Sequence, residues 1–122
     1  EHIIILGHAF CGGISALCKS CKLEQEDIQG TNENNKEFID NWVNISKNAI
    51  IKLNLKNWPG SIQHIAERES ILNSLNNLMT FPWVSELVKK NNLTIHGWWF
   101  DIENGSLWNV DQDNNKFAKL IP

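Results

Sequence analysis

The run Ile3-Ile4-Ile5-Leu6, followed by Gly7, the tetrad His8-Ala9-Phe10-Cys11 and the pair Gly12-Gly13, limits what this chain can fold into more than any other feature. Four large aliphatic residues in a row, three of them β-branched, are too few for a helix and carry no helical period. They read as a strand buried on both faces. Gly12-Gly13 then turn the chain into a helix running to about Lys22. Strand, short loop and helix make the α/β unit, which places the strand in a parallel sheet with a helix against it.

The tetrad between the two elements carries the chemistry. An imidazole and a thiol two residues apart at the end of a strand can hold one metal ion, and thiolate plus imidazole selects zinc over magnesium or calcium, which take all-oxygen shells. A buried cysteine and a hydrogen-bonded histidine also arise at strand ends without any metal. Position favours the metal, because ligands of open α/β sheets sit at the carboxyl ends of the parallel strands, where His8 and Cys11 fall.

Downstream, Leu23 to Lys36 is polar and reads as an exposed loop, and Phe38, Ile39, Trp42, Val43 and Ile45 recur at helical spacing, continuing to Leu53. Trp58-Pro59-Gly60 breaks that helix. Ser61 caps the next one, whose apolar stripe is Ile71, Leu72, Leu75, Leu78 and Met79, with Glu67, Arg68 and Glu69 on a solvated side. Pro82 suits the first turn of a further helix ending near Lys89-Lys90, where the two cations complement the helix dipole. Leu93 to Phe100 reads as a strand, Asn104-Gly105 as a type I′ hairpin turn, and Ser106 to Val110 as its partner, which closes the sheet on an antiparallel edge. The fold class is α/β, with a mostly parallel sheet flanked by helices and ending in an antiparallel hairpin.

A chain of 122 residues, 42% hydrophobic, suffices for one domain with a core. A net charge of -3 with no basic stripe argues against a nucleic-acid partner. No apolar run approaches membrane length, so no membrane partner is expected. Three cysteines, all within the first 21 residues, make a poor disulfide framework and suit a reducing compartment, so a cytoplasmic location is the expectation. Glu1 is not an initiator methionine and a strand follows almost at once, from which we expect the interior of a longer protein.

Competing sites are weaker. Cys18 and Cys21 would complete a four-ligand knuckle with His8 and Cys11, but Ile14, Leu17, Cys18 and Cys21 stand at i, i+3, i+4 and i+7, the stripe by which a helix faces its core. His96 alternates with Thr94, Trp98 and Phe100, and reads as a core histidine bonded to backbone. His2 and His64 have no acid, thiol or serine at a recognisable catalytic spacing. Asp111, Asp113 and Asn115 mimic the start of a calcium loop, but Lys116 stands where the turn needs glycine and Pro122 where it needs glutamate. The six tryptophans read as core or subunit-interface residues.

Glu1 to Gly13, EHIIILGHAFCGG, strongly resembles the second zinc-binding motif of the β-class carbonic anhydrases. Ser70 to Val84, SILNSLNNLMTFPWV, and Leu93 to Leu107, LTIHGWWFDIENGSL, resemble the later helix and the terminal HGW-containing hairpin of that family, in the right order. The resemblance implies that residues 1–122 are the carboxyl-terminal part of such a domain, with its amino-terminal strands and helices missing. It makes His8 and Cys11 two of three zinc ligands and Gly12 a candidate substrate-binding residue. The third ligand belongs to a Cys-x-Asp-x-Arg motif upstream, which also supplies the catalytic Asp and Arg. This chain does not contain that motif. The implied cofactor is Zn2+, the substrates carbon dioxide and bicarbonate, the reaction reversible hydration by zinc-bound hydroxide, and the assembly a homodimer or homotetramer. A catalytically inactive fragment or a zinc-stabilised binding module is the alternative.

Overall fold

A computed structural model describes residues 1–20, 61–111 and 113–121. The expected loop at 23–36, the helix at 38–53, the break at 58–60, the end of the first helix beyond Ser20, and Cys21 lie outside the described residues. The elements in order are β1 (His2–His8), α1 (Gly12–Ser20), α2 (Ile62–Met79), α3 (Pro82–Lys89), β2 (Thr94–Asp101), β3 (Ser106–Asp111) and β4 (Lys116–Ile121).

The four strands form one sheet in the order β1-β2-β3-β4. β1 runs parallel to β2 from His2↔Thr94 to His8↔Phe100, and both later pairings are antiparallel. The α/β architecture ending in a hairpin is therefore present, with parallel pairing among the described residues confined to β1 and β2. The expected close at β3 is corrected by a second hairpin. β4 carries Lys116 and Lys119 and half-buries only Phe117, so it has no apolar alternation to announce it. The Asp111–Asn115 segment that mimics a calcium loop is the turn into this strand. Asp111 Oδ1 accepts from the Asp113 N–H at 3.0 Å, Asn114 Oδ1 accepts from the Lys116 N–H at 2.8 Å, and Asn115 takes a left-handed φ of 55°.

The first hairpin also differs from the expected two-residue turn. Asp101 pairs with Ser106, leaving a four-residue loop in which Gly105 alone takes a left-handed φ, of 61°. Asp101 organises it, its carboxylate accepting from the Glu103 and Asn104 N–H groups and, at 2.7 Å, from Asn104 Nδ2. These bonds hold the Asp101 carboxyl below the usual carboxylate range, Asn104 contributing most.

Helix α2 starts where the sequence places it, with the Ser61 Oγ accepting from the His64 N–H at 3.2 Å. It lies across β1 and β2 because both strands present glycine beneath it. A Cβ on Gly97 would fall 2.7 Å from Leu75 Cδ1 and 2.8 Å from Ile71 Cγ2, and one on Gly7 would fall 2.7 Å from Ile71 Cδ1. Ile71, Leu75, Val84, Leu93, Ile95, Trp99 and Val110 form the main core, and Ile14, Leu17, Cys18 and Ala66 a second one under α1.

β1 alternates half-buried Ile3, Ile5 and Gly7 with exposed His2, Ile4, Leu6 and His8. The expectation of burial on both faces is therefore wrong for the described residues, because α2 covers only one side. β2 likewise turns Ile95, Gly97 and Trp99 into the core. His96 is thus not a core histidine, and its Nε2 lies 3.0 Å from His2 Nδ1 on the opposite face.

Candidate metal centre

β1 ends at His8, level with Phe100 of the parallel neighbour, and the Ala9 N–H continues the ladder by donating to the Phe100 carbonyl at 2.8 Å. The chain then bends sharply. Phe10 adopts a left-handed φ of 57°, which costs about 1–2 kcal/mol for a residue with a Cβ. This bend delivers Cys11 to the start of α1, where its carbonyl accepts the Ser15 N–H at 2.9 Å.

His8 and Cys11, the two ligands expected from sequence, line one cavity of about 300 Å³ together with Ile5, Leu6, Gly7, Ile14, Glu67, Ser70, Ile71 and Ser74. His8 Nδ1 lies 2.9 Å from the Ala9 carbonyl. A carbonyl can only accept, so Nδ1 carries the proton and the neutral ring keeps its Nε2 lone pair for a metal. A hydrogen bond of this kind at the second ring nitrogen is the usual companion of a ligating histidine. Gly12 is the first residue of α1, exposed, with open space where a Cβ would stand. Cys18 is fully buried in the second core. Among the described residues, no three His, Cys, Asp or Glu side chains gather as a metal site. Zinc fits the softness of the His8–Cys11 pair, which by itself is an incomplete ligand set.

The expected solvated side of α2 is overturned. Glu67 is buried, 2% exposed, and its two oxygens take four N–H donors. Oε1 accepts from the Cys11 N–H at 3.0 Å and Gln63 Nε2 at 3.1 Å, while Oε2 accepts from His64 Nδ1 at 2.9 Å and Trp99 Nε1 at 3.1 Å. His64 therefore has an acid partner that its reading in sequence denied it. Arg68 stacks its guanidinium 4.2 Å from the Trp99 ring centre and 5.3 Å from that of Trp108. Burial lowers the Arg68 pKa, against the raising influence of Asp101 and Glu67, and burial pushes the Glu69 carboxyl up. A signal for Glu67 was present in the sequence: it stands four residues before Ile71 and eight before Leu75, on the core-facing side of the helix.

A family model described as carbonic anhydrase matches residues 1–107. β carbonic anhydrase 3 of Arabidopsis thaliana is 38% identical over 117 residues, covering 91% of this chain and 42% of the relative. β carbonic anhydrase 6, mitochondrial, of the same plant is 30% identical over 126 residues, covering 99% and 41%. A carbonic anhydrase of Helicobacter pylori is 32% identical, covering 98% of this chain and 53% of that protein. Among solved structures, the β-carbonic anhydrase CcaA superimposes with a TM-score of 0.76 at 24% identity, over 100% of this chain and 52% of the other. One of two tetrameric β-carbonic anhydrases from the filamentous ascomycete Sordaria macrospora gives 0.61 at 22% identity, over 89% and 51%. The chain thus spans between two fifths and about half the length of these proteins.

Proposed function

Because this chain belongs to the β-carbonic anhydrase family, we propose that it is the carboxyl-terminal part of a zinc-dependent enzyme that interconverts carbon dioxide and bicarbonate. The observation that carries this reading is the pairing of a histidine whose Nδ1 is held by the Ala9 carbonyl with a cysteine on the same cavity. His8 Nε2 and the Cys11 thiolate would hold the metal. Zinc, when bound, acts as a Lewis acid that brings the pKa of a coordinated water to ~7 and so makes hydroxide available near neutrality.

A third protein donor, with the catalytic Asp and Arg, belongs in this reading to the Cys-x-Asp-x-Arg motif of the whole protein. β1 is the outer strand among the described residues, and its outer edge gives a further parallel strand a place to pair and bring that donor beside His8. Gly12, without a side chain at the first turn of α1, leaves a small substrate room near the metal. The aliphatic walls Ile5 and Ile14 suit an apolar gas. We further propose a homodimer or homotetramer, which would cover exposed Ile4, Leu6 and Phe100 on the open face of the sheet.

The test compares this chain with the whole protein, both loaded with zinc, by stopped-flow hydration of carbon dioxide. Hydration by the whole protein and none by the 122-residue chain is the expected result. Comparable rates would show that residues of this chain complete the site, and no activity in either would favour the binding module. In the whole protein, Cys11→Ser should strip zinc, whereas Cys18→Ala should leave zinc content intact.

A further inference from the structure

Resting on the reading of Cys11 as a zinc ligand, we infer that Glu67, assisted by Gln63, is a positioning residue that sets the Cys11 thiolate toward the metal. Neither residue is a ligand. They hold both backbone polar groups of Cys11 from outside the loop: the Glu67 carboxylate takes the N–H at 3.0 Å, and Gln63 Nε2 donates to the carbonyl at 3.3 Å as well as to Glu67 Oε1 at 3.1 Å.

The loop needs such a hold. The peptide before Cys11 follows a left-handed Phe10, and the Cys11 N–H bonds to the Glu67 carboxylate, not to a backbone carbonyl among the described residues. If that peptide rotates, Cys11 Sγ swings with it, and a thiolate displaced by a fraction of an ångström no longer shares a coordination sphere with His8. Glu67 is fixed in turn from the sheet and its own helix, since its other oxygen accepts from Nε1 of the buried Trp99 on β2 and from His64 Nδ1. The metal-binding loop is therefore tied to the sheet core through one carboxylate.

The donor count makes the residue type specific. All four groups around Glu67 donate, and a carboxylate accepts at both oxygens. A glutamine placed there has to turn its NH2 toward one pair of donors. The least damaging orientation keeps its oxygen on Cys11 and Gln63 and directs the NH2 at His64 and Trp99. His64 can change tautomer and accept, but the Trp99 indole cannot. The conflict then rests on Trp99 alone: its N–H meets the NH2, which pushes the side chain off its seat and weakens its hold on the Cys11 N–H, and Trp99→Phe removes that conflict.

The experiment uses the whole protein and measures zinc affinity by competition with a chromophoric chelator. Circular dichroism of the metal-free form follows folding, and the thiolate-to-metal charge-transfer band of the cobalt form follows Cys11. Glu67→Gln should weaken zinc binding about 10- to 100-fold and shift that band, and the double variant Glu67→Gln/Trp99→Phe should recover a substantial part of the loss. Wild-type affinity and an unchanged cobalt band in folded Glu67→Gln would overturn the inference, as would a double variant no better than the single one. If Glu67→Gln does not fold, Gln63→Met carries the test: a several-fold loss of zinc affinity is expected, and unchanged affinity overturns it. Cys11→Ser separates the two levels. Retention of zinc by Cys11→Ser refutes the metal reading, whereas its loss there with full retention in Glu67→Gln refutes only the positioning role.

Discussion

The two halves of α2 bury different chemistry against the same sheet. The first two turns direct Gln63, His64, Glu67 and Arg68 at Cys11, Trp99 and Trp108. The later turns direct Ile71 and Leu75 at Gly97 and Val110. The aliphatic half gains free energy from area removed from water, a non-directional term that tolerates small shifts. In the polar half each buried group needs a partner at a set distance, and an unmet one costs about 1–3 kcal/mol. The difference teaches that one helix can supply stability from one end and geometry from the other. Which end a residue serves follows from what the strand beneath it presents: glycine under the aliphatic turns, an indole N–H and an open loop N–H under the polar ones.

The largest expected effect lies in the aliphatic half. Leu75→Ala, at a position 6% exposed, should lose about 2–5 kcal/mol in urea unfolding while zinc affinity per folded molecule stays the same. An equal fall in affinity would break the division between the halves. Gly97→Ala comes next, at about 1–3 kcal/mol, since its methyl would meet Leu75, Ile71 and Val110 at once. A thermal melt of this variant beside Gly7→Ala, whose methyl would press on Ile71 alone among side chains, ranks the two crossings, and Gly97 should suffer more.

In the polar half, Arg68→Ala removes the cation stacked on Trp99, Trp108 and Phe117 and should cost about 1 kcal/mol. The loss should be read by hydrogen exchange at β4, because Trp108 and Phe117 join the second hairpin to α2 through this side chain. The smallest effect is that of Glu69. Its folded pKa is raised by burial, so its contribution to stability is full below the unfolded carboxylate pKa and is lost as pH rises through the folded value. Glu69→Gln should therefore flatten a slight decline in stability across that acidic window, measured by urea melts at stepped pH. A decline that persists in the variant would assign it to another group.

The legible parts of the molecule were those with a local physical cause. The Ser61 cap and Pro82 at the head of α3 each carry a residue whose backbone preference marks the boundary, whereas the bend between β1 and α1 falls on Phe10 and not on Gly12-Gly13, which lie within α1. That His8 and Cys11 share one cavity was legible because the two lie within four residues at the end of one strand. Glu67 was not, although its spacing to Ile71 and Leu75 was visible. Reading Glu67-Arg68-Glu69 as a block of charge ignored that successive helical residues point about 100° apart. His96 was misplaced for the opposite reason: alternation showed two faces of β2 but not which one α2 would cover, and Gly97, by admitting the helix, decides that in three dimensions. β4 stayed hidden because a strand with one half-buried side chain has almost no periodicity to read.

The register His2↔Thr94 also bears on the order in which the molecule comes together. The two hairpins β2–β3–β4 close over short loops and can form within microseconds, whereas β1 has to find a partner at the far end of the chain, a pairing that pays a large loop-closure entropy before any contact rewards it. His8 and Cys11 sit at the end of that late strand. The bend that sets the two proposed ligands is therefore fixed only once β1 has paired, and zinc uptake, on the proposed reading, should track the slowest folding phase.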